Sequence, residues 1–167
     1  MIVGKGVYLR HANFHKVDFT GCDLSNVNMN NALINETNFS NIKYKDKPKI
    51  RKPYKFVKDD NEKNFIFGPG VVVKDMIYKN KKINKDKNTQ KLSLCIFENC
   101  DFTNTVFEGK ELESYPEDIS QEAKNLLNKV DLTKSEFKDC NLSGVQFINC
   151  SFDRLRTNNL TINENTK

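Results

Sequence analysis

The 167-residue chain has no tryptophan, only two histidines, four prolines and seven glycines. It also lacks any apolar run near the ~20 residues that a bilayer helix needs. Its opening, Met1-Ile2-Val3-Gly4-Lys5-Gly6, has no secretory apolar region. A cytoplasmic location and no membrane partner are therefore expected. The histidines, His11 and His15, have no third ligand nearby, which argues against a metal or an acid–base pair. Gly68-Pro69-Gly70 is too short for a phosphate loop and lacks the Lys-Ser/Thr that would follow it. Neither Gly-x-Ser-x-Gly nor a zincin motif occurs. The acidic pairs Asp59/Asp60 and Glu117/Asp118 fall in a Lys-rich stretch and at a helix start, where acids are ordinary. No catalytic residue, metal or cofactor is expected.

What the chain does have is a large apolar residue at every fifth position. Leu9, Phe14, Phe19, Leu24, Met29, Ile34, Phe39 and Tyr44 form the first run. In a chain that is 37% hydrophobic, eight such hits would arise roughly once in a few thousand tries at a fixed register. The ladder returns at Leu92, Phe97, Phe102 and Phe107, and again at Leu132, Phe137, Leu142, Phe147 and Phe152. Two residues before each rung stands a smaller residue, such as Ala12, Val17, Cys22, Cys95, Cys100, Ser135, Cys140 or Cys150. Between the two is often Asn or Asp, as in Ala12-Asn13-Phe14, Val17-Asp18-Phe19 and Cys22-Asp23-Leu24. A period of five fits neither an amphipathic helix nor a two-faced strand. It fits a coil in which each five-residue unit makes one side and one turn.

These units resemble those of the pentapeptide-repeat family. The resemblance implies an all-β solenoid: a right-handed quadrilateral β-helix with four units per square turn and with the large and small residues pointing inward. Repeats are expected over about 7–44, 92–109 and 130–157, all in one domain, followed by a polar tail at 158–167. Nine of the twelve phenylalanines fall on the large ladder and should stack inside. All five cysteines lie on the small ladder, where burial as small hydrophobes explains them better than disulfides or zinc.

Two stretches break the pattern. Residues 45–91 hold 15 Lys/Arg against 6 Asp/Glu, whereas 92–167 hold 8 against 13. A net charge of +5 thus hides a basic middle and an acidic C-terminal half. In the basic stretch, Asn64–Phe67 and Val71–Val73 read as a hairpin about Gly68-Pro69-Gly70. Lys79–Lys91 reads as a polar loop. Val73, Tyr78 and Ile83 fall five apart, which leaves a degenerate coil open. In the second stretch, 109–129, Pro116-Glu117-Asp118 opens a short α-helix with Ile119, Ala123, Leu126, Leu127 and Val130 on one face. That helix would cover a coil edge or dock a partner.

A bore filled by ladders leaves recognition to the outside. The expectation is a non-catalytic protein-binding scaffold, with Lys49, Arg51, Lys52, Lys79, Lys81 and Lys82 as candidate contact residues. Two alternatives stand beside it. The family resemblance implies a DNA-mimicking modulator of a type II topoisomerase, which the acidic half would have to supply. The Lys-rich stretch could instead hold nucleic acid. A homodimer through the last coil, near Phe152–Leu155, is also left open.

Overall fold

The computed structural model describes residues 6–84, 91–109 and 129–167. Its strands are short: β1 (Asn13–His15), β2 (Leu33–Asn35), β3 (Thr37–Asn38), β4 (Lys55–Lys58), β5 (Asn64–Phe67), β6 (Val71–Lys74) and β7 (Lys82–Asn84). They continue as β8 (Ile96–Glu98), β9 (Val106–Glu108), β10 (Val130–Asp131), β11 (Glu136–Lys138), β12 (Gln146–Ile148), β13 (Cys150–Ser151) and β14 (Arg156–Asn158). All strand-to-strand pairings described are parallel except β4 with β5. The register gives the architecture. Asn13 pairs Leu33, Asp18 pairs Asn38, and Glu136 pairs Arg156. Each offset is twenty residues, which is four five-residue sides per turn. The third side is the longest ladder, with strand order β14-β11-β8-β6-β3. With Asp18 bridged to Asn38, six chain passes stack there over about 24 Å at strand spacing.

Local chemistry explains the five-residue unit. Many corners are β-turns closed by the next small residue, as where Cys22 N donates to Phe19 O at 2.9 Å. The third turn residue sits at positive φ, for example His11, Lys16, Asn26 and Asn31. Asn tolerates that region best among residues with side chains. The Asn or Asp between the ladders caps the following corner. Asp18 Oδ1 accepts from Thr20 N at 2.8 Å, Asp23 Oδ1 from Ser25 N at 2.9 Å, and Asn141 Oδ1 from Ser143 N at 3.0 Å.

Inside, the large ladder packs ring on ring along the axis. Phe19 stacks on Phe39 at 5.2 Å, Phe97 on Phe137 at 4.9 Å, and Phe107 on Phe147 at 5.1 Å. Edge-on contacts join neighbouring sides, such as Phe97 with Phe102 at 5.4 Å. Leu24, Met29, Leu132 and Leu142 are buried, and Leu9 and Ile34 are half-buried. Phe152 is 41% exposed on the last coil.

The small ladder does more than fill space. Thr37 Oγ1 donates to Phe14 O at 2.9 Å, Ser135 Oγ to Leu92 O at 2.5 Å, and Cys140 Sγ to Phe97 O at 3.3 Å. Thr105 Oγ1 donates to Tyr78 O in the same way. Each hydroxyl or thiol thus satisfies a corner carbonyl of the preceding coil. Cysteine here is therefore a small donor as well as a small hydrophobe. Burial pushes the Cys95 thiol up to about 12, far from a reactive thiolate.

Four sequence expectations change. The repeat resumes at Val71, inside the stretch read as an insert: β6 pairs β3 and β8, Ile77 bridges Asp101, and β7 pairs β9. Val73, Tyr78 and Ile83 are thus the large ladder of a true coil, because backbone pairing tolerates Met76 and Lys81 at small positions. Lys79–Asn84 accordingly belongs to that coil, and 85–90 lies outside the described residues. The hairpin is β4–β5, not a turn about Gly68-Pro69-Gly70. That tripeptide is a coil corner, with Val71 N bonded to Gly68 O and Gly70 at φ +70°. Pro then Gly at the two central positions is a type II turn. A Cβ on Gly70 would lie 2.5 Å from Ile34 O. The tail also coils: Thr161 bridges Asn141, and Phe147 N donates to Lys167 O at 2.8 Å. Polar Asn163 and Thr166 supply turn bonds where apolar ladder residues are missing. The expected helix residues Ile119, Ala123, Leu126 and Leu127 lie outside the described residues, and Val130 is buried in β10.

Candidate binding surface

The hairpin shows how the basic stretch is held. Asp59, which is buried, closes its turn by accepting from Asn61 N and Lys63 N through Oδ1, both at 2.9 Å. Its Oδ2 accepts from Ile77 N at 3.4 Å. Asp60 N donates to Ile77 O at 2.8 Å, and Asp60 Oδ2 accepts from Lys79 N at 2.8 Å. On its other side, Ile42 bridges Asn64 antiparallel. The hairpin therefore wedges in as a substitute rung between Ile42 and Ile77. Insert and coil share backbone bonds, so the basic stretch is part of the scaffold.

This divides the six candidate cations. Lys79 pairs with Asp101 at 2.7 Å, Lys81 with Asp60 at 2.5 Å, and Lys82 with Glu108 at 3.2 Å. Lys81 Nζ also lies 4.7 Å from the Tyr78 ring centroid. Hydrogen bonds from Lys81 and from Lys79 N hold the Asp60 carboxyl below its usual range. These three lysines are spoken for. Lys49, Arg51 and Lys52 are exposed and make no ion pair among the described residues. The sequence alone could not separate the two groups, because the partner carboxylates lie on other rungs.

The third side is a ladder of opposite charges. Glu98 contacts Lys74 at 2.9 Å and Lys138 at 3.1 Å, and Arg156 contacts Glu136 at 3.1 Å. Hydrogen bonds from Lys74 and Lys138 hold Glu98 below the usual carboxylate range. An indentation of about 280 Å³ runs along this side past Lys16, Asp18, Val72 and Glu98, and another of about 220 Å³ opens where the hairpin meets it at Lys63 and Phe65. Both are smaller than a usual ligand cleft of roughly 300–1,000 Å³. His15 Nδ1 lies 2.9 Å from Asn35 Nδ2 on the next coil.

Eight pentapeptide-repeat copies match the family model for these repeats, over residues 5–41 and 126–154. The chain carries this family's repeats. Its β-helix is therefore the right-handed coil of that family. Proteins with these repeats are generally structural or binding proteins. No curated protein matches the chain. Similar solved structures include two from cyanobacteria. One is HetL, a pentapeptide repeat protein involved in heterocyst differentiation regulation from the cyanobacterium Nostoc sp. strain PCC 7120. It is 11% identical at a TM-score of 0.33, covering 91% of this chain and 87% of that one. The other is the pentapeptide repeat protein Rfr23 from the cyanobacterium Cyanothece 51142. It is 14% identical at a TM-score of 0.23, covering 96% and 86%.

The acidic half does not make an acidic face among the described residues. From 91 onward these hold seven bases and eight acids. Glu98, Asp101, Glu108 and Glu136 each contact a cation. No described helix is long and apolar enough to cross a membrane. The last coil leaves Ile162 62% and Phe152 41% exposed.

Proposed function

We propose that this pentapeptide-repeat protein is a non-catalytic scaffold that binds another protein across its flat outer sides and the docked hairpin. The observation that carries the reading is the filled bore. Phe97, Phe102, Phe107 and Phe137 are all fully buried in one continuous stack, which leaves the outside as the surface that meets other molecules. The third side is straight, polar and rigidly paired, which suits a broad protein contact better than a small ligand.

The test is affinity capture by the full-length protein with quantitative mass spectrometry. A Lys74→Glu/Lys138→Glu variant, which reverses the third side's charge pattern, serves for comparison. One protein retained near-stoichiometrically by the wild type and lost by the variant is the expected result. Retention of nothing above background, or turnover of a small molecule in a metabolite screen, overturns the reading.

A further inference from the structure

One surface feature stands apart from the paired charges elsewhere. Lys43, Lys45, Lys47, Lys49 and Arg51 occupy every second position, and all five are exposed. The residues between them face the other way or serve the fold. Tyr44 packs edge-on to Phe56 at 5.4 Å, Pro48 is buried, and Ile50 packs against the core. Asp46, the only acid in the run, accepts from Asn26 Nδ2 at 3.1 Å. Lys45, Lys47, Lys49 and Arg51 make no ion pair among the described residues.

The run is fixed in place by its backbone. Lys43 N donates to Cys22 O at 2.9 Å, Lys45 N to Ser25 Oγ at 2.9 Å, and Lys49 N to Val27 O at 2.7 Å. Lys43 bridges Asp23 and Lys49 bridges Asn28, on adjacent sides of the coil, with bends at Lys45 and Asp46 between them. The cations thus form a preorganised track that turns one corner of the coil. An aromatic lies beside it. Tyr8 bridges Asn28, which bridges Lys49, so three outward positions stack on the first side. Tyr8 is 77% exposed, and Arg10 is exposed two residues on.

The geometry points to a binding track for single-stranded nucleic acid, with the Lys43–Arg51 cations on successive phosphates and Tyr8 as a stacking platform for a base. Five exposed cations at alternate positions match a polymer with a charge on every unit, and an exposed ring on the same side as Lys49 matches a base face. An acidic protein segment offers irregular charge and no use for the ring. The inference rests on the reading that the outside of the coil binds macromolecules, but it needs no protein partner.

The experiment is fluorescence anisotropy of a labelled 20-nucleotide single strand, titrated with the full-length protein. With about five phosphates neutralised, the log–log salt slope should be near −3.5, or about 100-fold weaker binding at 200 than at 50 mM salt. Lys45→Glu/Lys49→Glu should weaken binding more than about 30-fold at 50 mM salt, and Tyr8→Ala about tenfold. Lys134→Glu/Arg154→Glu makes the same charge change at another part of the coil and should stay within about threefold. Circular dichroism melts check that every variant folds. No anisotropy change at 50 mM salt overturns the proposal, as does equal weakening by the two double variants. Equal competition by polyglutamate at matched charge would assign the track to an acidic protein. Tighter capture by vesicles with one-fifth phosphatidylserine would assign it to a membrane surface. Either result overturns the nucleic-acid assignment. Failure here with a protein still captured leaves the scaffold reading standing, and binding here with no protein captured removes only that reading.

Discussion

The coils from Lys91 onward and the region from Ile42 to Asn84 reach the same architecture by different means. In the first, the unit is regular. Small residues close corners, phenylalanines stack, and offsets between neighbouring rungs are twenty or forty residues. In the second, offsets are 34 and 24, Met76 and Lys81 take small positions, and a hairpin replaces a rung. The regular part is held by its filling. The irregular part is filled too, by Phe65, Ile66, Phe67, Val73 and Met76, and polar ties at Asp59 and Asp60 fasten its hairpin to the coil. A β-helix therefore needs a closed rung more than it needs a consensus unit.

The sharpest break of this comparison is to remove filling from the regular part. Phe97→Ala deletes a fully buried ring that touches Phe67, Phe102 and Phe137. It should cost about 3–5 kcal/mol in urea denaturation. Phe56→Ala, on the half-buried strand β4, should cost less than half as much. Similar losses would mean that β4 is as much core as the coil.

Asp59→Ala attacks the polar ties instead. It removes a buried carboxylate with three backbone partners and should cost about 2–3 kcal/mol. Hydrogen exchange should rise at the amides of Asn61, Lys63 and Ile77, while those of Glu136–Lys138 stay protected. Uniform loss of protection would show that the wedge and the regular coils open as one unit.

Corners offer a finer comparison. Gly70→Ala forces a Cβ against Ile34 O at φ +70° and should cost about 2 kcal/mol. Gly21→Ala has the same φ with open space around it and should cost about 1 kcal/mol. Thermal melts of the two variants measure the difference. Equal shifts would show that backbone conformation alone sets the cost.

The smallest effect is electrostatic. Glu98 and Asp60 are held below their ordinary range by lysines, and Asp18 by Thr20. For Asp101, burial raises the pKa, but Lys79 and Thr103 outweigh it and lower it. A depressed folded value means these groups favour folding above the ordinary carboxylate pKa, about 4. That contribution is lost as pH falls through the folded values. The urea midpoint should therefore be flat from pH 8 to pH 5.5 and fall below about pH 4, by under about 1 kcal/mol for each exposed pair. A midpoint that rises in acid would refute these ion pairs.

The regular coils were legible because each unit repeats its own evidence. Phe14, Phe19 and Leu24 announce the bore before any contact is known, since side chains at one spacing share one direction. The coil at Val71–Asn84 was only hinted at, because Met76, Lys81 and Tyr78 do not look like a repeat unit. The Gly68-Pro69-Gly70 turn was visible as a turn, but its chemistry is the same for a hairpin and for a coil corner. The cation track was visible as charge alone. Which lysines are free depends on acids far along the chain, as with Lys79 and Asp101 or Lys82 and Glu108.

The sequence by itself determined the period, the identity of the inward residues and the corner chemistry. These are local properties, repeated until chance is excluded. Only the tertiary structure decided where an irregular stretch rejoins the stack, which charges cancel and which stay open to a partner. Those outcomes depend on backbone pairing between residues some 20 to 40 positions apart, and backbone groups carry no mark of their partner in the sequence.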